Sequence, residues 1–274
     1  MVNKLKLWDQ RTSWEEAEKA WDEKALEASK KAPLKKLATL PSIPGIAEGT
    51  GRFLKWKSLK YMATHDQGRK ILKHFLKHPL KYALRLFRSS LKKKSYVRDG
   101  DFFFYGLKNE EEFLKGAMGK DALVVVGFSY CQKPHECPEG RFTDRCRHSL
   151  DSPICQQCDI GKVVHALPQK AIPLFIPTIH YIGDQIFTLI HKYPKKRLFF
   201  LITACELTLE MFGDLGNMVA IQGVGIRLDG RICNTMKAFE LSEEGIKPGL
   251  TVLTTPTQKR LLDLIKNLRS GACV

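Results

Sequence analysis

From residue 121 onward, short apolar runs alternate with stretches whose apolar positions recur every three or four residues. Ala122-Leu123-Val124-Val125-Val126-Gly127-Phe128 is free of polar residues, and comparable runs follow at Ile172 to Ile176, Leu198 to Thr203 and Met218 to Ile221. Leu250 to Thr254 is a fifth candidate. Such runs predict strands covered on both faces, because a half-exposed strand alternates instead. Between them, Thr178 to Lys192, Glu206 to Phe212 and Gln258 to Leu268 carry the helical period. Strands interleaved with helices predict an α/β fold, a mostly parallel sheet with helices on both faces, over residues 99–274.

Upstream the pattern is helical and predicts a basic N-terminal extension. Ser13-Trp14-Glu15-Glu16 reads as a capping box, in which hydroxyl and carboxylate satisfy the first free N–H groups of a helix. That helix is expected to end before Pro33, with Trp14 and Trp21 on one face. Pro41, Pro44, Gly45, Gly49 and Gly51 then mark a linker that closes the segment 1–51. In the segment 52–98, Ile71, Leu72, Phe75, Leu76, Leu80, Leu84, Phe87 and Leu91 recur at helical steps. Lys73, Lys77, Lys81, Arg85, Arg88 and Lys92 fill positions between them, and Lys93 and Lys94 follow. Pro79 lacks the N–H a helix interior needs, so it divides or kinks this arm.

Charge sharpens this division. The net charge is +16. Segment 52–98 holds fifteen Lys/Arg and a single acid, Asp66, while the flanking segments are nearly balanced. Excess so segregated marks contact with a polyanion or a solvated face. An anionic membrane surface suits a basic amphipathic arm, since the apolar stripe enters the interface while cations meet lipid phosphates. An acidic protein partner, or packing on the chain's own domain, uses the same arm differently. Nucleic acid is disfavoured, because no base-reading motif accompanies the charge.

The first ten residues precede no apolar run, so no secretory signal is expected. The longest apolar stretch, Ala171 to Ile190, includes Pro173, Pro177, His180, Asp184 and Gln185, which argues against a membrane span. The expected location is cytoplasmic, with the arm able to hold the protein at the inner face of a membrane.

In such a reducing compartment cysteines read as thiols or ligands rather than disulfides. There are eight, at 131, 137, 146, 155, 158, 205, 233 and 273. Five fall in the stretch from Cys131-Gln-Lys-Pro-His-Glu-Cys137 through Cys146 to Cys155-Gln-Gln-Cys158. Thiolates are ligands that soft metals prefer, and a C-x-x-C turn lets two sulfurs reach one ion. Neither the two tight knuckles of a zinc ribbon nor the bacterial ferredoxin run is present. Cys131 follows the first predicted strand and Cys205 the third; Cys233 follows the fourth through Asp229-Gly230. Ligands gather at the carboxyl ends of parallel strands, so these three are expected to share one edge. His135 and His148 are further candidates, and Cys273 stands apart near the terminus. No Ser-His-Asp order, Walker loop or G-x-G-x-x-G accompanies them.

From about Val124 to Glu240 these motifs resemble an uncharacterised bacterial and archaeal family marked by seven cysteines, domain of unknown function 116. The resemblance is carried by the Cys131/Cys137 segment, Cys155-Gln-Gln-Cys158-Asp-Ile-Gly, Ala204-Cys205-Glu206, and Gln222-Gly223-Val224 leading to Asp229-Gly230-Arg-Ile-Cys233-Asn234-Thr235. It implies a cysteine-ligated centre and no established activity. Two departures stand out: Pro177-Thr178-Ile179-His180 replaces a glycine-bearing turn, and Gln157 replaces a glycine in the second C-x-x-C.

The leading expectation is an iron–sulfur redox or accessory protein, of 4Fe-4S type, with Cys131, Cys137, Cys155 and Cys158 as ligands. Cys146 is a fifth candidate, and Cys205 and Cys233 form a nearby thiol pair or add ligands. A zinc-stabilised binding module is the first alternative. A thiol enzyme is the second, with Cys205 as nucleophile and Glu206 or a histidine as base.

Overall fold

A computed structural model describes residues 37–40, 43–46, 58–92, 95–134, 136–230, 232–233, 236–247 and 251–271. The capping-box helix, Lys93, Lys94, His135 and Cys273 lie outside the described residues. Within the expected Pro/Gly linker, Leu37–Leu40 (β1) and Ile43–Ile46 (β2) pair as a short antiparallel hairpin.

Four strands form the parallel heart of the sheet: Ala122–Ser129 (β5), Ile172–Ile176 (β6), Arg197–Ala204 (β7) and Gln222–Arg227 (β8). Two more, Val97–Asp99 (β3) and Phe102–Tyr105 (β4), add antiparallel to β8, giving the order β3-β4-β8-β7-β5-β6. The fold is therefore α/β with a mostly parallel sheet, as the pattern predicts. Both faces are covered, and successive strand residues enter opposite cores, as the two-residue strand period requires. Phe103 and Tyr105, with Phe200 and Ile202, meet Ile179–Lys192 (α7) and Glu206–Val219 (α8). Phe102 and Phe104, with Phe199 and Leu201, meet Glu110–Ala117 (α4), Asp159–Ala166 (α6) and Thr255–Gly271 (α10).

β5 comes first among the parallel strands, yet β6 pairs on one of its sides and β7 on the other. The chain reverses direction across the sheet between β5 and β7. That topological switch point is where open α/β sheets leave a crevice at the carboxyl ends of their strands.

Two expected strands are corrected. Met218 to Ile221 forms no strand: Met218 and Val219 end α8, and Ala220 turns into the left-handed region at φ 58°. The Ile221 N–H reaches Gly216 O at 2.8 Å and Ala220 N–H reaches Asn217 O at 3.2 Å, a Schellman closure that seals the helix before β8 begins. At the fifth site only Thr251–Val252 (β10) is extended, pairing with Asp229–Gly230 (β9) apart from the main sheet.

The arm comprises helical residues 58–64 (α1), Lys70–Leu76 (α2) and Pro79–Leu91 (α3). Pro79 sits in the first turn of α3, where its missing N–H costs nothing. The arm packs on α7 and α8. Tyr82 is buried edge-on against Phe187, His74 lies 3.1 Å from Asp184, and Ser89 donates to Asp214 at 3.0 Å.

Candidate functional site

The seven cysteines of the metal expectation are all free thiols. They fall into two groups at the carboxyl end of the sheet.

The first group gathers at the switch point. Cys131 lies in the turn that ends β5, and Cys205 is the residue between β7 and α8. Cys233 arrives from beyond β9, on the approach to Met236–Glu243 (α9). All three line one small cavity of about 30 Å³, with Thr208, Ser242 and Glu243. This convergence follows from strand position: each cysteine comes shortly after a strand that ends at the same rim.

Charged groups define its chemistry. The Lys247 Nζ donates to Cys233 Sγ at 3.3 Å, and Lys247 is fully buried. Burial opposes its charge, but the sulfurs of Cys131, Cys233 and Cys205 hold its pKa above the ordinary value. The Cys233 sulfur also lies 3.4 Å from Ser242 Oγ. The Cys205 thiol is lowered to about 6, chiefly by a hydrogen bond from Cys233 and then by Lys247 and Thr208, against the effect of burial. Cys233 moves in the opposite direction for the same reason, since it supplies the proton. The pair therefore shares a proton, with the Lys247 ammonium beside it as counter-ion to a thiolate. The position of Cys205 at the α8 N-terminus adds to this, because unpaired backbone N–H groups favour an anion there.

Buried polar groups fix the frame. Arg141 donates to Cys131 O at 2.9 Å and to Lys247 O at 2.8 Å, tying the two loops together. The Tyr130 hydroxyl donates to Ser242 O. Glu243 Oε2 accepts from the Ile179 N–H at 2.8 Å, and burial raises this carboxyl to about 8. Glu243 also borders a polar cleft of about 510 Å³ that includes His65, Asp66, His180, Asp184 and Glu240.

The second group is Cys137, Cys146, Cys155 and Cys158. Cys155 sits in the short helix Pro153–Gln157 (α5), and Cys158 in the extended link to α6. Gly161 permits this tight link, because a β-carbon there would collide with the Cys155 carbonyl oxygen. Cys137 and Cys146 lie in the irregular loop before α5, which is organised around the buried Lys133. Its Nζ donates to Arg145 O at 2.6 Å, Thr143 O at 2.7 Å and Thr143 Oγ1 at 3.0 Å.

These sulfurs sense one another. Burial raises Cys137, Cys146 and Cys158, Cys146 to about 11; Cys155 adds to the shift at Cys137, and Cys137 to that at Cys146 and Cys158. The shift at Cys137, Cys146 and Cys158 is opposite to that at Cys205. Among the described residues, no group of three or more His, Cys, Asp or Glu side chains is arranged to hold a metal ion.

Cys131 thus stands with Cys205 and Cys233, while Cys146 joins the other three. His148 bonds the Cys146 carbonyl at 3.1 Å through Nδ1, as a loop residue does. Glu206, the proposed base for Cys205, turns away and pairs with Arg98 at 2.6 Å. The sequence reading missed Lys247, Glu243 and Arg141, which belong to no motif; Lys133 was hinted at only by its nearness to Cys131. On the arm, Lys73, Lys77, Lys81, Arg88 and Lys92 are exposed and Arg85 is partly buried. Among the described residues no helix is long and apolar enough to cross a membrane.

Comparison with known proteins gives no match to a family model, to a curated protein or to a solved structure.

Proposed function

We propose that this chain is a cysteine-ligated metal protein, with an iron–sulfur centre of redox or accessory role as its first reading. Cys137, Cys146, Cys155 and Cys158 are the proposed ligands. The observation that carries the reading is that Cys137, Cys146 and Cys158 lie near the buried Lys133 and near one another, with Cys155 beside Cys137. Thiols held near one another resist ionisation, as at Cys137, Cys146 and Cys158, and a soft cation offsets that by taking up the thiolates. Lys133 supplies a positive charge beside the anionic site that four thiolates create.

Anaerobic purification, metal and sulfide analysis, and an optical spectrum test this. A brown protein carrying about four irons, losing its colour in Cys155→Ser, is the expected result. Colourless protein with stoichiometric zinc replaces the cluster by the zinc-stabilised module. Protein without metal after anaerobic reconstitution ends both.

A second reading, thiol chemistry at Cys205, is favoured by the Cys205–Cys233–Lys247 arrangement. Cys205 is the candidate nucleophile, Cys233 its proton-holding neighbour and Glu243 a carboxyl within reach of the same cavity. Preferential alkylation of Cys205 over the other thiols at neutral pH tests it, and failure to label Cys205 first removes it.

A further inference from the structure

The arm is two-faced in a way that its packing on the domain does not use up. Its inner side presents Ile71, Phe75, Tyr82, Leu86 and Ser89 to α7 and α8. Its outer side leaves Leu72, Leu76, Leu80, Leu84, Phe87 and Leu91 in solvent, from 44% exposed at Leu72 to 86% at Leu80. At about 100° per residue, Leu80, Leu84, Phe87 and Leu91 fall within about 60° of one another, opposite Tyr82, Leu86 and Ser89. A stripe of six large apolar side chains on an outer surface is not the scattered exposure of an ordinary monomer.

Cations border the stripe. Lys81 and Arg88 lie along its edge on α3, and Lys73 and Lys77 flank Leu72 and Leu76. No Asp or Glu occurs anywhere from residue 67 to residue 92. An acid-free cationic border beside an outward apolar ridge complements a surface that is negative at its face and apolar just beneath. A second copy of the same arm would meet it charge against like charge.

We propose that α2 and α3 lie flat on an anionic lipid bilayer, with Leu76, Leu80, Leu84, Phe87 and Leu91 inserted at the interface and Lys73, Lys77, Lys81 and Arg88 on lipid phosphates. The protein is held on the membrane rather than through it. This contact is independent of the thiol chemistry, since none of its residues lines the cavity of Cys131, Cys205 and Cys233.

Flotation of the full chain with vesicles of phosphatidylcholine and phosphatidylglycerol (about 7:3), against phosphatidylcholine alone, tests the proposal. Wild-type protein should float with the anionic vesicles and be released by salt. Leu84→Ser and Phe87→Ser should each lower partitioning about tenfold or more. Lys81→Gln and Arg88→Gln should each lower it about fivefold. All four positions face solvent, so an unchanged thermal midpoint certifies the fold. Absence of flotation with anionic vesicles overturns the proposal, as does flotation that survives the Leu84 and Phe87 substitutions. A dimer in solution that these substitutions dissolve overturns it in favour of a second copy as the occupant.

Discussion

The ammonium of Lys247 rests 3.3 Å from the sulfur of Cys233, inside a protein interior that excludes water from both. The neighbouring Cys205 is made acidic chiefly by its hydrogen bond with Cys233, and the ammonium adds to that effect. Replacing Lys247 by Met removes the counter-ion. The midpoint for alkylation of Cys205 by iodoacetamide should then rise from about 6 by about 1–3 pH units. An unchanged midpoint shows that the ammonium does not set the thiol's acidity.

Glu243 makes a prediction of opposite sign. Its carboxyl ionises near 4.5 when free and is raised to about 8 in the fold. Between those values the folded state holds a proton that the unfolded state has lost. Its contribution to stability is complete below pH 4.5 and is lost as pH rises through 8. Glu243→Gln abolishes this loss, at a slope of up to about 1.4 kcal/mol per pH unit. Denaturant unfolding across pH 4 to pH 9 should show the two proteins alike in acid and the variant ahead in base. Parallel profiles refute the assignment.

Gly161 holds the C-x-x-C turn closed by offering no β-carbon to the Cys155 carbonyl. Gly161→Ala should cost about 1–3 kcal/mol as the backbone yields. It should also part Cys155 from Cys158, which lowers bound metal after reconstitution. Full metal content in a destabilised variant separates the two effects and denies the turn its role in the centre.

The arm is clasped by Ser89, which donates to Asp214 at 3.0 Å and accepts from Asn217 Nδ2 at 3.0 Å. Ser89→Ala leaves a buried carboxylate short of a donor, a loss of about 1–3 kcal/mol. Hydrogen exchange should quicken first in α3, and uniform quickening across the chain argues against a local clasp.

Much of this fold is legible because β5, β6 and β7 are buried on both sides and so appear as unbroken apolar runs. The helices between them show their period for the same reason. Two places resist reading. Met218, Val219 and Ile221 resemble a strand locally, but a helix end needs apolar residues too, and the left-handed turn at Ala220 leaves no glycine to betray it. Phe102 to Tyr105 is only four residues long, and its strand depends on pairing with β8, more than a hundred residues away.

The site divides along the same line. Cys131, Cys205 and Cys233 are legible as a group because each follows a strand, and strand ends share an edge. That Cys146 rather than Cys131 accompanies Cys137 depends on how an irregular loop folds over Lys133, and no periodicity reports that. Lys247 and Glu243 reach the sulfurs through tertiary folding alone. Their neighbours in sequence, Gly245-Ile246 and Leu241-Ser242, carry no sign of it.

Helix α8 begins beside Cys205, and about 14 to 18 Å farther along its axis, at 1.5 Å per residue, it carries Asp214 and Asn217, the residues that grip α3. One rod thus joins the Cys205 sulfur to the arm's anchorage, like a measuring staff with a mark at each end. Whatever surface receives the arm is therefore tied to that sulfur through one helix, whose length sets the distance between the sulfur and the arm's anchorage.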